Sequence, residues 1–244
     1  MKRINIVGYG LFPKLQISQE AIEVIRSSTT VLTLAQVEEI EDLLQSEGIR
    51  YISLKHLYQQ DLVRNEVYYS VAERVLQEFY RSEGNVCYLT YGNPMLLDTP
   101  AQILIDEGNK YGFDVNIVSG QSFLDVITAR MSYPIDGKGL IVVDATTLVE
   151  QGLILSPKIP AFIAQVGAFR QARVGSLSSR SQEDLSDLFS YLLTFYPKTH
   201  EVTFCDSNEF GDDLIFCKLA LDSAILAADA ITYATTLFIP PCTH

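Results

Sequence analysis

The sequence predicts an α/β protein made of two α/β subdomains, the first with a parallel sheet and the second with a mixed or antiparallel one. Three observations predict it. The chain has 244 residues, 48% apolar and 20% charged, which is enough for one large domain or two small ones with a real core. Strand-like and helix-like runs alternate through the first half, as they do where parallel strands are joined by crossover helices. Beyond Pro134 short strands follow one another with turns between, the pattern of antiparallel pairing. The Pro- and Gly-containing stretch from Ser132 to Gly139 separates the halves, so the expected subdomains are 1–133 and 134–244.

Each element has its own signal. Ile4-Asn5-Ile6-Val7 is β-branched and opens the chain as a strand. A helical pattern runs from Ser18 to Ser27, with the Ser18 hydroxyl placed to cap an orphan N–H. Thr30 to Leu34 reads as a strand, Val37 to Glu47 as an amphipathic helix, and Tyr51 to Leu54 as a strand. A long helix from Asn65 to Ser82 leads to Asn85 to Thr90, apolar enough to be buried on both faces. Helix Pro100 to Tyr111, strand Asp114 to Val118 and helix Phe123 to Met131 complete the first half. In the second half Leu140 to Val143, Ala161 to Val166, Glu201 to Cys205, Leu214 to Leu219 and Thr235 to Ile239 read as strands, with one helix, Gln182 to Phe195. Glu201 to Leu219 is a hairpin whose turn spans Asn208 to Asp213.

Charge and composition exclude several functions. Thirty acidic against eighteen basic residues give a net charge of −12, which repels phosphate backbones, so no nucleic-acid partner is expected. The longest apolar runs fall far short of the roughly 20 residues that cross a bilayer, and no secretory signal opens the chain. A soluble, cytoplasmic protein is expected. Cys87, Cys205, Cys217 and Cys242 are too scattered for a zinc ribbon or a CxxC pair, and no metal is expected. They read as reduced core thiols, with a cross-strand contact between Cys205 and Cys217 as the alternative. The acidic residues Glu201, Asp206, Glu209, Asp212 and Asp213 read as a solvated hairpin or as an attractor for a basic peptide.

Three loops draw attention. Gly8-Tyr9-Gly10 stands where dinucleotide-binding folds carry a glycine-rich loop, but Pro13 takes the third glycine position and no acid ends the second strand. It reads as a tight turn that lets backbone approach the sheet edge. Tyr91-Gly92-Asn93-Pro94 follows a buried strand, and Ser119-Gly120-Gln121-Ser122 follows the next. Both lie at carboxyl ends of parallel strands, the usual ligand edge of open α/β sheets.

In that order and spacing, Ile6-Val7-Gly8-Tyr9-Gly10, Tyr91-Gly92-Asn93-Pro94 and Ser119-Gly120-Gln121-Ser122 resemble the tetrapyrrole methylase family of S-adenosylmethionine-dependent methyltransferases. The family's usual forms are V-G-x-G-P-G, G-[DHN]-P and P-G-I-S. The resemblance covers residues 4 to 241. It implies S-adenosyl-L-methionine held in the cleft between the two subdomains, S-adenosylhomocysteine as product, and a homodimer. The chain departs from the family in Leu11-Phe12, where Pro-Gly is usual, and in Ser119 and Gln121, where Pro and Ile are usual.

A narrower likeness is to the peptide backbone N-methyltransferases that make borosins. Ala234-Thr235-Thr236-Leu237-Phe238-Ile239-Pro240-Pro241 looks like their S-T-L-x-I-P-P ending, and Phe195-Tyr196-Pro197-Lys198-Thr199-His200-Glu201-Val202 resembles their W-Y-P-x-x-H-E-V segment. Tyr58, Arg64 and Tyr68 match the spacing of the Tyr, Arg and Tyr to which catalysis is assigned in the fungal members. The likeness implies cofactor contacts at Gly8, Tyr91, Gly92, Asn93, Pro94, Met95, Ser122, Gln165, Val166, Thr235 and Thr236.

The chemistry suits the trio. An amide nitrogen is a poor nucleophile because its lone pair is delocalised, so methylation requires removal of the amide proton or stabilisation of the imidate. Arg64 and Tyr68 share one helix face, and the guanidinium stays charged. One tyrosine can act as base while the other donates to the substrate carbonyl. Against this stands packing: Tyr58, Tyr68, Tyr69 and Tyr80 crowd one helical neighbourhood, and Tyr69 takes the place of Tyr68 if the register slips by one. His56 reads as a surface residue that could also face the site.

The leading expectation is therefore a peptide α-N-methyltransferase. Only three residues follow Pro241, so its substrate is expected to be a separate precursor peptide, and −12 suits a basic one. The alternatives are a tetrapyrrole C-methyltransferase of the precorrin or uroporphyrinogen type and a methylase-like binding protein without activity.

Overall fold

The computed structural model describes residues 2–34, 38–59, 62–137, 139–174, 181–206, 215–233 and 235–242. They form two compact units. The first is Met1–Val126 with Ala172–Val174, and the second is Ile127–Gln171 with Gly175–His244.

In the first unit, β1 (Arg3–Gly8) leads through the single turn α1 (Pro13–Gln16) to α2 (Gln19–Ser27), β2 (Thr30–Thr33), α3 (Glu38–Ser46) and β3 (Tyr51–Ser53). Then come α4 (Arg64–Arg81), β4 (Val86–Thr90), α5 (Thr99–Tyr111), β5 (Asp114–Val118) and the start of α6 (Phe123–Arg130), whose residues from Ile127 on are counted with the second unit. The strands lie in the order β3-β2-β4-β1-β5, all parallel. Because strand side chains alternate, one face carries Ile4, Ile6, Leu32, Val86 and Tyr88 against Val71, Val75 and Phe79 of α4 and Ala101 and Leu104 of α5. The other carries Val7, Val31, Cys87 and Leu89 against Ala21 and Ile25 of α2 and Ile40 and Leu44 of α3. Burial on both sides is why these strands read as unbroken apolar runs. Ser18 caps α2 as expected, its hydroxyl accepting from the Ala21 N–H at 3.0 Å.

Three loops at the carboxyl ends of β1, β4 and β5 meet backbone to backbone. A Cβ on Gly8 would stand 2.3 Å from the Gly92 carbonyl oxygen and 2.7 Å from the Gly120 nitrogen. On Gly120 it would stand 2.2 Å from the same carbonyl and 2.7 Å from the Gly10 nitrogen. Gly10 and Gly92, both at positive φ, exchange N–H···O bonds of 3.3 and 3.0 Å. Only glycine permits this approach.

In the second unit, β6 (Ile141–Asp144), α7 (Ala145–Glu150), β7 (Ala161–Ala164), α8 (Gln182–Leu192), β8 (Glu201–Asp206), β9 (Ile215–Ala220), α9 (Leu221–Ala224) and β10 (Thr235–Ile239) follow in order. The sheet runs β6-β7-β10-β8-β9, with β6 and β7 parallel and the remaining pairs antiparallel. The sequence pattern showed one helix here, but α7, α9 and a 3₁₀ segment, Ile225–Ala230, are helical too. Segments of four to six residues are too short to display a helical period. β8 and β9 pair as the expected hairpin, whose turn lies outside the described residues. Its register sets Cys205 opposite Phe216 and Cys217 opposite Phe204, so the two cysteines point to opposite faces and make no cross-strand contact. Cys87 and Cys205 are buried, whereas Cys217 is exposed on the edge strand and Cys242 half-buried, so not all four are core thiols. Among the described residues no helix is long and apolar enough to cross a membrane.

The loop contact predicts a steep local sensitivity. Gly120→Ala should cost about 2–3 kcal/mol, as forced overpacking does. Gly48→Ala, at φ +67° with nothing within 4 Å of its Cβ position, should cost only about 1 kcal/mol of backbone strain. Urea midpoints of the two variants check the contrast.

Candidate active site

The carboxyl-end loops of the first unit hold most of the expected cofactor residues, and each is locked by short-range bonds. Gln16, on α1, turns its Oε1 back to accept from the Leu11 and Phe12 N–H groups at 2.7 and 3.0 Å. That glutamine ties the first loop to α1. Asn93 Oδ1 accepts from the Met95 N–H at 3.0 Å, an Asx turn. Leu97 continues the bend at φ +61°. Gly8 and Pro94 are buried, Tyr91 and Asn93 half-buried, and Met95 is 56% exposed. Ser122 caps α6 reciprocally with Asp125: its N–H and hydroxyl donate to Asp125 Oδ2 at 2.7 and 2.6 Å. Of the interlocked glycines, Gly92 is the one whose Cβ would meet only ordinary contacts, Leu11 Cδ1 at 3.9 Å and the Gln121 carbonyl at 4.0 Å.

Tyr58, Arg64 and Tyr68 come together. Tyr58 closes the 3₁₀ turn Lys55–Leu57, Arg64 is the first residue of α4, and Tyr68 lies one turn on. The rings of Tyr58 and Tyr68 are 6.3 Å apart. Burial pushes the Tyr58 phenol far up, the proximity of Tyr68 and a hydrogen bond with it push the same way, and Arg64 pulls against them. Tyr69 is 64% exposed, and the ring beside that of Tyr58 belongs to Tyr68. His56 turns its Nδ1 to the Ser53 carbonyl, 3.0 Å away, within its own turn.

Two groups here escaped the sequence reading. Asp98 caps α5, accepting from the Ala101 N–H at 2.9 Å and from the Thr90 hydroxyl at 2.7 Å. Burial pushes its carboxyl up, partly offset by those two bonds, and its charge is felt at Tyr58. Tyr88, fully buried on β4, has its phenol raised by burial first and then by Asp98. Asp98-Thr99-Pro100 is a recognisable helix-start signal. Nothing in a buried apolar run marks Tyr88 beyond its own hydroxyl.

In the second unit, Gln165 adopts the left-handed conformation at φ +56° and opens the 3₁₀ turn Val166–Ala168. Gly167 lets the 232–233 backbone pass, as its Cβ would stand 2.1 Å from the Thr232 carbonyl oxygen. The Thr235 hydroxyl accepts from the Thr232 N–H at 2.8 Å and donates to Asp206 Oδ2 at 2.9 Å, and Thr232 Oγ1 donates to the same oxygen at 2.7 Å. Asp206 is thus a structural anchor and not part of a solvated face, while Glu209, Asp212 and Asp213 lie outside the described residues. Thr236 and Val166 are buried beside these groups in sequence. His200 Nε2 contacts the Pro240 carbonyl oxygen at 2.8 Å and its ring stacks on Tyr196 at 5.1 Å, joining the Tyr-Pro segment to the Ile-Pro-Pro ending. Burial, helped by Cys242, pushes the Tyr196 phenol up to about 12. Among the described residues no group of three His, Cys, Asp or Glu side chains is placed to hold a metal ion.

The profile of the Tetrapyrrole (Corrin/Porphyrin) Methylases matches residues 3–205. The chain belongs to this family. It is thereby a member of a family of S-adenosylmethionine-dependent methyltransferases. The chain is 25% identical over 167 residues to a protein of Cerrena unicolor named as a methyltransferase and ribosomally synthesized type I borosin cyclic peptide precursor. That match covers 68% of this chain and 40% of the relative. A like-named protein of Mycena rosella is also 25% identical over 167 residues, covering 68% of this chain and 42% of its own. The chain thus spans about two fifths of the length of these relatives. Its fold matches the uroporphyrin-III-C-methyltransferase of Thermus thermophilus at TM-score 0.68 and 13% identity, covering 98% and 94% of the two chains. It matches a diphthine synthase at TM-score 0.65 and 15% identity, covering 100% and 92%.

The buried phenols of the methylase fix a sign for its pH dependence. Folded Tyr58 keeps its proton well above the unfolded value of 10.0, so above that pH the unfolded chain releases a proton that the folded chain retains. Stability is present in full below about pH 10 and falls as pH rises beyond it. Tyr58→Phe should make that alkaline fall shallower, as read from urea midpoints between pH 9 and 11, without changing the slope at neutral pH.

Proposed function

We propose that this methylase transfers a methyl group from S-adenosyl-L-methionine to backbone amide nitrogens of a peptide. The observation that carries the reading is the gathering of Tyr58, Arg64 and Tyr68, with the two tyrosine rings 6.3 Å apart and the Arg64 charge felt at Tyr58. The borosin precursor names of the relatives support a peptide as the acceptor class.

The residues suit the cofactor. The half-buried Tyr91 and the exposed Met95 offer apolar surface at the sheet edge where ligands of open α/β sheets bind. Asn93 and Pro94 hold that loop, and Gly8, Gly92 and Ser122 hold it against its neighbours. When bound, S-adenosylmethionine supplies an electrophilic methyl group and leaves as S-adenosylhomocysteine.

The trio divides the remaining work. Tyr58, kept protonated by burial, donates to the substrate carbonyl oxygen, where negative charge gathers as the amide loses its proton. Arg64 offsets that charge with a cation that cannot be neutralised. Tyr68 first releases its own phenolic proton to solvent, and its phenolate then takes up the amide proton.

Incubation of the protein with S-adenosylmethionine and a precursor peptide encoded beside its gene should add mass in steps of one methyl group, located on backbone nitrogens by tandem mass spectrometry. Arg64→Ala and Tyr68→Phe should each lower the rate by about a hundredfold or more. Full activity of both variants, or methylation of uroporphyrinogen in place of the peptide, would sink the reading.

A further inference from the structure

The helix that carries Arg64 and Tyr68 begins without a cap of its own. Its flanking residue is Val63, whose side chain accepts nothing, so the N–H groups of the first turn lack the usual local acceptor. The missing acceptor comes from a segment more than a hundred residues away. Arg64 N–H donates to the Ala172 carbonyl at 2.8 Å, and Val174 N–H donates to the Leu62 carbonyl at 2.8 Å. Val63 and Arg173 thereby form an isolated antiparallel bridge. The Arg173 carbonyl also accepts from Arg64 Nη2, 3.5 Å away, while Arg64 Nε is buried. One short stretch of backbone therefore fixes both the start of the helix and the direction of its first side chain.

We propose that Ala172–Val174 is a positioning strap for the reaction: its backbone caps α4 in place of a side chain and holds the Arg64 guanidinium beside Tyr58 through the Arg173 carbonyl. The inference rests on Arg64 being a group that meets the substrate. A guanidinium on a long, flexible stem spreads over many rotamers unless something pins it. Its effect on a developing charge depends on placement to within a fraction of an ångström. Three backbone groups of the strap supply that placement without any side chain.

The test separates capping from positioning. Val174→Pro removes the N–H that bonds Leu62, and the preference of the residue before a proline for extended backbone suits Arg173 in the bridge. Val63→Asp adds a local cap that can serve the first turn without the strap. Two measurements are made on single and double variants: hydrogen exchange at the Arg64 amide, and kcat and KM for peptide methylation. In the parent protein the Arg64 amide should be protected although it is the first helical position. In Val174→Pro it should exchange at least about tenfold faster and kcat should fall by about tenfold, with KM changed less than about twofold. Adding Val63→Asp should restore the thermal midpoint and leave kcat low. Recovery of kcat in the double variant, or an Arg64 amide that exchanges freely in the parent, overturns the proposal. Full activity of Arg64→Ala would instead overturn the reading of Arg64 as catalytic, a separate failure, because seating of the strap is read from exchange alone.

Discussion

The first unit depends on a contact in which no side chain takes part. The loops that end β1, β4 and β5 touch through Gly8, Gly92 and Gly120, with carbonyl and amide groups lying where a Cβ on Gly8 or Gly120 would have to go. Side-chain packing can relax by changing rotamers, but a backbone-to-backbone contact has no such freedom, so the three strand ends are held in one arrangement. Each loop is then finished by a polar group that turns back on its own segment: Gln16 on the first, Asn93 on the second, Ser122 with Asp125 on the third. The result is an edge that is shaped before any ligand arrives.

That rigid edge sets the electrostatics around it. Asp98 can cap α5 only because β4 ends where it does, bringing Thr90 to its carboxylate. Burial keeps the neighbouring phenols of Tyr88 and Tyr58 protonated, and the Asp98 charge adds to it. A tyrosine so held is a good hydrogen-bond donor and a poor base, which is the part the proposed function gives to Tyr58.

Most of the fold was legible because the parallel strands are buried on both faces and their apolar runs are separated by helices long enough to show a period. The short helices α7 and α9 were not, since six residues or fewer carry no period, and the exposure of Cys217 depends on which strand ends up at the sheet edge. Within the candidate site, Tyr58, Arg64 and Tyr68 stood out only through the likeness to the borosin enzymes, because tyrosines at helical spacing by themselves read as packing. Asp98 left a trace in Asp-Thr-Pro that a search for helix caps would have found. The part played by Ala172–Val174 left none, because backbone carbonyls carry no residue identity and their partners lie more than a hundred residues away.

The two segments that narrow the likeness from a broad family to peptide methylases differ in kind from the trio. Tyr196 to Val202 and Ile239-Pro240-Pro241 are joined by His200 at the Pro240 carbonyl, with Tyr196 stacked on the imidazole. They form one structural joint that ties β10 to the segment preceding β8. Their likeness to the borosin enzymes therefore speaks for a shared scaffold in the second unit and says nothing directly about the acceptor. The trio lies in the first unit and differs in kind: burial keeps the Tyr58 phenol protonated, the Tyr68 ring is 6.3 Å from it, and the Arg64 charge is felt at Tyr58. Under the proposed reading amide methylation would draw on all three, because the proton, the carbonyl charge and the weak nitrogen nucleophile each require a partner.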